Sequence, residues 1–217
     1  GGRTATQVAA QLGYETKMID GRRVTDSDML RVVTMVYGGL VNKNIVAGLN
    51  SRGICALGMT GADCGIIVSH KREAKPVDYG FVGDVDKVDF QRLASIINQG
   101  ITPVLAPLTF DGHEHLLNTN ADTIAGETAK AMAHLYDVSL VYCFEKRGVL
   151  TNPYDDNSVI PEIHADNFAK LVEDGVVSGG MIPKIQNALQ AVEAGVKRGI
   201  ITAAKGLDTE SGTKILP

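Results

Sequence analysis

Apolar residues recur along the chain at two spacings, one typical of helices and one typical of strands. In residues 4–12, Val8, Ala9 and Leu12 share one helical face, and Gly13 ends the predicted helix. The same spacing predicts further helices at residues 26–37, 41–50, 90–98, 121–135, 166–173 and 181–194. We expect Gly38 and Gly39 to break the chain between the helices at 26–37 and 41–50.

Short apolar runs typical of buried strands alternate with these helices. They cover residues 54–59, 66–69, 101–106, 139–144 and 199–203. Residues 14–24 and 78–89 alternate around Asp20–Gly21 and Gly83–Asp84, which predicts a hairpin in each segment. The charged segment 70–76 predicts a solvated loop. Helices that alternate with buried strands indicate the α/β class, with a sheet layered between helices.

Composition narrows the possible functions. The 217 residues are 44% hydrophobic and 21% charged, which excludes a disordered chain. A net charge of -4 without a block of Lys or Arg argues against nucleic acid as a partner. No uninterrupted apolar run approaches the roughly 18 residues of a membrane span, so no membrane partner is predicted. Cys55, Cys64 and Cys143 lack the spacing of a disulfide framework or zinc site, which favours a cytoplasmic location.

Three glycine clusters are candidate phosphate loops: Gly1–Gly2 and Gly179–Gly180, which precede predicted helices, and residues 61–65, which precede the predicted strand at 66–69. Glycine at such a position lets the backbone approach a phosphate closely while the helix N-terminal amides face it. None of the clusters matches the dinucleotide or P-loop fingerprint, and a simple turn explains any one of them. Lys184 follows Gly179–Gly180 closely enough to reach a phosphate there, which favours a phosphate site at that cluster.

Two other segments carry candidate binding groups. Arg22 and Arg23 are either an exposed pair or a clamp for a carboxylate, and the forked guanidinium of Arg23 suits a carboxylate. In the segment 117–122, two amides and a carboxylate stand at a predicted helix start. Asn120 as the N-cap and Asp122 as a first-turn acid would explain that segment without any function. The five histidines lack metal-ligand spacing, so no metal site is predicted.

Taken together, these segments resemble the acetylglutamate kinase branch of the amino acid kinase family. The resemblance spans the whole chain, in the family's order, and is carried by residues 1–2, 20–25, 41–43, 78–84, 117–122, 179–184 and 211–215. It implies an α/β fold: a three-layer αβα sandwich with an open, mostly parallel central sheet, as in carbamate kinase. Residues 1–217 would form a single amino acid kinase domain. Its N-terminal half would bind the acyl-amino acid and its C-terminal half the nucleotide.

The implied activity is ATP-dependent phosphorylation of the side-chain carboxylate of N-acetyl-L-glutamate, an early step of arginine biosynthesis, with Mg²⁺ as cofactor. The pKa of a solvated Glu carboxyl group is about 4.3, so this nucleophile is ionised at neutral pH and needs no general base. Catalysis then consists of alignment and charge neutralisation. Two alternatives remain open: the same reaction on N-succinyl-L-glutamate, and a non-catalytic amino-acid-binding regulatory domain. Family members often dimerise, which implies a homodimer.

The resemblance also implies residue roles. Asp122 would orient catalytic lysines, and Lys184 would stabilise the charge on the transferred phosphoryl group, so the two would lie side by side. The substrate-binding residues would be Gly1, Gly2, Arg23 and Asn118. The nucleotide-binding residues would be Glu145, Gly148, Leu150, Ser178, Gly179, Gly180 and Met181.

Members of the family begin with a segment that these residues do not match. It comprises a strand, a glycine-rich turn with a catalytic lysine, a helix, and a second strand that ends in His-Gly-Gly-Gly. We expect the 217 residues to lack this segment and to be inactive by themselves.

Overall fold

The computed structural model describes residues 1–19, 21–209 and 211–217, without the side chains of 208 and 209. The chain divides into two compact units, Gly1–Ile124 and Ala125–Pro217. Within the described residues the α-helices are α1 (Gly2–Gln11), α2 (Ser27–Val33), α3 (Asn42–Asn50), α4 (Phe90–Ile97), α5 (Ala121–Met132), α6 (Ala165–Glu173) and α7 (Met181–Glu193). The strands there are β1 (Met18–Ile19), β2 (Arg22–Arg23), β3 (Ala56–Met59), β4 (Ile67–Lys71), β5 (Gly83–Val88), β6 (Thr102–Leu105), β7 (Leu108–Phe110), β8 (Leu116–Asn118), β9 (Ser139–Phe144), β10 (Glu162–His164), β11 (Arg198–Ala203) and β12 (Thr213–Leu216).

The expected break at Gly38 and Gly39 is wrong. Helix α2 continues through a π-helical segment, Thr34–Val41, directly into α3. A β-carbon on Gly38 would lie 3.3 Å from Leu108 Cδ1, so this glycine allows the helix to pack closely against β7. A helix–sheet contact therefore outweighs the low helix propensity of the glycine pair.

The N-terminal unit contains a four-stranded sheet in the order β5-β4-β7-β8 and the parallel pair β3-β6. In the four-stranded sheet only β4 and β7 are parallel. Helix α1 packs on α2 around a core that includes Ala5, Ala9, Val32 and Val33. The predicted hairpin at residues 14–24 is present as the antiparallel pair β1-β2, although Asp20 in its turn lies outside the described residues.

The second predicted hairpin has a different turn. Gly83 and Asp84 do not form a tight turn but begin β5, which pairs antiparallel with β4. The connection between these two strands spans residues 72–82. Most of the predicted solvated loop is exposed, as expected, but Arg72 is half-buried. The alternation of residues 78–89 therefore located the strand but not its partner, which precedes it in the chain.

The C-terminal unit is built on a sheet in the order β10-β12-β11-β9. Strands β9 and β11 are parallel, as are β10 and β12, whereas β11 and β12 are antiparallel. Helix α7 packs against the sheet, with Ile185, Ala188 and Leu189 in a core shared with Ile201 and Ile215. Strand β10, only three residues long, was not predicted because it is too short for a visible alternation.

One helical stretch in the described part of the chain, Ser27–Asn50, is long and apolar enough to cross a membrane by length and composition. Interruptions by polar residues kept it from appearing as an uninterrupted apolar run in the sequence. A single such helix is weak evidence for a membrane span, since core helices of soluble proteins pass the same test. Met29, Val32 and Val33 of this stretch are buried against α1.

At the tip of the β7–β8 hairpin, Asp111 accepts several hydrogen bonds. The backbone N–H groups of His113 and His115 donate to Asp111 Oδ1 over 2.8 Å and 3.0 Å, and His115 Nδ1 lies 2.8 Å from Oδ2. Desolvation by itself would raise the pKa of Asp111. The two backbone donors and the His115 ring outweigh it and lower the pKa to about 2.

This shift predicts an acid-dependent contribution to stability. The folded-state pKa lies below the unfolded value of about 3.9, so the Asp111 carboxylate stabilises the fold above that pH. The contribution is lost as the pH falls towards 2. We therefore expect Asp111→Asn to lower Tm at pH 6 and the difference from wild type to shrink with acidification. Thermal unfolding at several pH values measures this difference, with Asp174→Asn, at an exposed position, as the control. A pH-independent difference would contradict the assignment.

Candidate active site

A cavity of about 470 Å³ lies within the N-terminal unit. Its walls come from the start of α1, the β1–β2 hairpin, the π-helical segment with α3, the end of β6 and the segment 118–121. All four residues predicted to bind substrate line this cavity: Gly1, Gly2, Arg23 and Asn118. Their roles remain predictions, but the structure brings them to one place from three separate segments.

The hydrogen-bond partners of the Arg23 guanidinium among the described residues are all uncharged. Its Nη2 donates to Gly2 O over 3.0 Å and to Thr6 Oγ1 over 2.9 Å, and Nη1 contacts Thr16 Oγ1 at 3.4 Å. Among the residues that the structure describes, no carboxylate pairs with this guanidinium. A half-buried cation whose described partners are all neutral favours an anionic ligand in the cavity.

Asn118 is the last residue of β8, Asn120 follows two positions later, and the two side chains make different hydrogen bonds. Asn118 Nδ2 donates to Thr25 Oγ1 over 2.9 Å, and its backbone N–H donates to Phe81 O over 2.9 Å. Asn120 Oδ1 accepts from the backbone N–H groups of Asp122 and Thr123, at 2.7 Å and 3.3 Å. Asn120 is therefore the N-cap of α5, as predicted. Asp122 occupies the first turn of α5, and its predicted place beside Lys184 remains a prediction.

Two residues that the sequence did not indicate also line the cavity. Arg72 forms a forked ion pair with Asp84, with Nε 3.0 Å from Oδ2, and its guanidinium lies 5.8 Å from the Tyr79 ring centroid. The hydrogen bond from Arg72 lowers the pKa of Asp84, against the opposing effect of burial. Tyr37, on the π-helical segment, packs against Gly1, where a β-carbon would lie 3.3 Å from the ring.

Neither residue had a local signal in the sequence. Arg72 stands in a charged segment that looks solvated, and its partner Asp84 is brought close only by the pairing of β4 with β5. Tyr37 lies outside the apolar stripe of α2 and faces the cavity on the π-helical segment, whose geometry no spacing rule anticipates.

A second, smaller cavity of about 200 Å³ lies within the C-terminal unit. Four of the residues predicted to bind nucleotide line it: Gly148, Leu150, Ser178 and Met181. Glu145, Gly179 and Gly180 are not among its lining residues. Apolar side chains dominate its wall: Phe144, Val149, Leu150, Pro153, Val176 and Met181. This cavity suits a flat, largely apolar group with a few polar edges.

At the start of α7, a lysine side chain is a better candidate for phosphate binding than the backbone N–H groups. The backbone N–H of Met181 donates to Ser178 O, and that of Ile182 donates to Gly179 O, each over 3.2 Å. Pro183 has no N–H. The charge of Lys184, whose Nζ lies 5.7 Å from the Tyr142 ring centroid, is therefore the main feature at this terminus that could attract a phosphate.

Metal-binding residues do not cluster in the described part of the chain. No group of three or more His, Cys, Asp or Glu side chains there is arranged to hold a metal ion.

The chain belongs to the amino acid kinase family, whose sequence profile matches residues 1–203. An acetylglutamate kinase of Bacteroides thetaiotaomicron is 62% identical over 215 residues, covering 99% of this chain and 84% of that protein. The predicted resemblance to the acetylglutamate kinase branch is confirmed by this relative.

Solved structures agree with the fold. The crystal structure of smu.665 from Streptococcus mutans UA159 superposes with a TM-score of 0.85 at 28% identity, covering 100% of this chain and 83% of that one. Carbamate kinase from Giardia lamblia bound to AMP-PNP has a TM-score of 0.63 at 15% identity, covering 99% and 79%. The second match concerns the fold alone. Together they confirm the predicted α/β fold class.

Proposed function

We propose that the protein transfers the γ-phosphoryl group of ATP to the side-chain carboxylate of N-acetyl-L-glutamate, an early step of arginine biosynthesis. The observation that carries this proposal is the Arg23 guanidinium, which faces the cavity of the N-terminal unit with only neutral hydrogen-bond partners among the described residues. An N-acyl amino acid supplies the missing carboxylate. The acetylglutamate kinase at 62% identity supports the choice of acid and acyl group.

In the proposed reaction a side-chain carboxylate oxygen attacks the γ-phosphorus of ATP. A new P–O bond forms, the bond between the γ-phosphorus and the β–γ bridging oxygen breaks, and its electron pair leaves with ADP. The product is an acyl phosphate. The nucleophile is already ionised, so the protein needs to align the reactants and neutralise charge rather than move a proton.

The chain offers separate groups for these tasks. Arg23 holds the substrate α-carboxylate, Asn118 binds the acylamino group, and Gly1 and Gly2 leave room for the reacting carboxylate. Lys184 neutralises charge on the transferred phosphoryl group, and Asp122 orients the catalytic lysines, including Lys184. Mg²⁺ enters on the phosphates of ATP as part of that substrate.

For the nucleotide, we propose that the adenine ring binds the apolar cavity of the C-terminal unit. Gly148, Leu150, Ser178 and Met181 line that cavity. Glu145, Gly179 and Gly180 are adjacent in sequence to residues that line it, and we assign them to the ribose and phosphates.

A coupled assay of the full-length protein tests the function. With N-acetyl-L-glutamate, ATP and Mg²⁺ we expect release of ADP and, with hydroxylamine present, one hydroxamate per ADP, because hydroxylamine traps acyl phosphates. N-succinyl-L-glutamate serves as the competing substrate. A higher kcat/KM for the succinyl compound would move the assignment to that substrate. Absence of ATP binding in calorimetry would instead favour a regulatory amino-acid-binding domain.

We also propose a cytoplasmic homodimer that uses neither nucleic acid nor a membrane as partner. The exposed apolar side chains of Met35 and Leu40 on one continuous helical stretch support a second copy as the partner. The exposed, unpaired cysteines Cys55, Cys64 and Cys143 support a reducing compartment. Sedimentation equilibrium of the full-length protein measures the oligomeric state, and a monomer at micromolar concentration would exclude a stable dimer.

A further inference from the structure

Thr25 stands between the two polar side chains assigned to the substrate, although it does not line the cavity itself. Its side chain is completely buried between β2 and α2. Its backbone is fixed on both sides, since Thr25 N–H donates to Tyr79 O over 2.8 Å and Thr25 O accepts from Phe81 N–H over 2.6 Å. Gly80 permits this approach: it has a φ of 74°, and a β-carbon there would lie 2.2 Å from Thr25 O.

The Thr25 hydroxyl makes two hydrogen bonds with different roles. It donates its single proton to Arg23 O over 3.1 Å. Towards Asn118, 2.9 Å away, the hydroxyl oxygen can then only accept. Asn118 accordingly presents its NH₂ group to Thr25, and the donation from Thr25 to Arg23 O favours this orientation of the amide.

This orientation defines what Asn118 offers to a ligand. With Nδ2 on Thr25, the carbonyl oxygen Oδ1 occupies the other side of the amide. In the part of the chain that the structure describes, no donor reaches Oδ1. Asn118 lines the cavity together with Arg23. The cavity thus combines a cation for a carboxylate with an acceptor that requires an N–H or O–H donor.

We propose that Thr25 is a positioning residue, which holds the Asn118 amide with its oxygen towards the ligand and so makes the site selective for an N–H donor beside a carboxylate. This inference rests on the proposed function. In this inference, a buried hydroxyl selects an amide-linked acyl group over an ester-linked one. The hydroxyl does so without contacting the amide or the ester substrate itself. An ester analogue places an oxygen lone pair where the N–H would be and leaves Oδ1 without a donor.

The expected discrimination is large. Sites built to hydrogen-bond a substrate N–H or O–H reject analogues that lack it by factors of about 10⁴ or more in favourable cases. Because this cavity wall is only partly buried, we expect a discrimination of about 10²-fold between the amide and the ester. Removing the Thr25 hydroxyl allows the Asn118 amide to turn over and offer either end, so most of this factor should disappear.

The test compares two substrates on the full-length protein: N-acetyl-L-glutamate and (S)-2-acetoxyglutarate, the ester with the same two carboxylates. For wild type we expect a kcat/KM ratio of about 10² in favour of the amide. For Thr25→Val we expect a ratio below about 10, with KM for the amide raised and kcat nearly unchanged. Thr25→Ser keeps the hydroxyl and should restore the wild-type ratio.

Thr128→Val is the matched control, because it removes a buried hydroxyl that has no hydrogen-bond partner among the described residues. We expect it to leave the ratio unchanged. A wild-type ratio near one would overturn the proposal even if Thr25→Val fails to fold. The proposal would also be overturned if Thr25→Val kept the same amide-to-ester ratio of kcat/KM as the wild type. The same holds if Thr25→Val and Thr25→Ser lowered kcat/KM equally for both substrates. Absence of turnover of either substrate by wild type would overturn the proposed function instead.

Discussion

Replacing Lys184 by methionine is expected to lower kcat for phosphoryl transfer about 10³-fold with little change in KM for N-acetyl-L-glutamate. Charged groups that stabilise a transferring phosphoryl act mainly in the transition state, and losing one costs on the order of 10³ in rate. The backbone amides of Met181 and Ile182 already donate to carbonyl groups, so they could not replace the lost charge without rearrangement. Methionine keeps most of the aliphatic chain over Tyr142 and removes only the charge.

The measurement is steady-state kinetics of the full-length protein with each substrate varied in turn, and thermal unfolding checks folding. Lys170→Met, an exposed lysine of α6, is the control and should keep wild-type kcat. A Lys184→Met enzyme with unchanged kcat would remove Lys184 from catalysis. A rise in the KM for ATP alone would show that it binds nucleotide in the ground state.

Replacing Arg23 by methionine is expected to lower kcat/KM for N-acetyl-L-glutamate about 10²- to 10³-fold, chiefly through KM. Truncating one partner of a buried, hydrogen-bonded charge pair costs about 2–5 kcal/mol. Arg23→Lys keeps the charge but not the fork, so an intermediate loss is expected. Arg31→Met removes a highly exposed arginine on α2 and should have no effect.

Arg23 also holds Gly2 and Thr6, so part of the loss could be structural. A substrate with its α-carboxylate converted to a carboxamide separates the two contributions. If Arg23 binds that carboxylate, the wild type has a lower kcat/KM for the carboxamide than for N-acetyl-L-glutamate, whereas Arg23→Met treats the two substrates alike. The difference between the two enzymes is the coupling energy of a double-mutant cycle. Equal discrimination by both enzymes would place the carboxylate elsewhere.

Helical and strand periodicity predicted most elements because each element has its own apolar face. Helices α1, α4, α6 and α7 and strands β3, β6, β9 and β11 lie close to their predicted positions. The failures have long-range causes. The glycine pair at 38–39 looked like a helix break because propensity is local, whereas its helix is maintained by packing on Leu108. Residues 83–84 looked like a turn because alternation does not reveal which strand is the partner.

The sequence by itself determined the α/β class, the family, the N-cap Asn120, and Arg23 as a candidate carboxylate ligand. These depend on residue types at short spacings, which a chain displays directly. The tertiary structure alone decided that Arg23 and Asn118 line one cavity, that Arg72 and Tyr37 join them, and that Thr25 sets the Asn118 amide. Thr25 and Asn118 are 93 positions apart, and the direction of the hydrogen bond between them is favoured by the proton that Thr25 donates to Arg23 O. No spacing rule contains that contact, because it exists only once β8 lies beside the segment that follows β2.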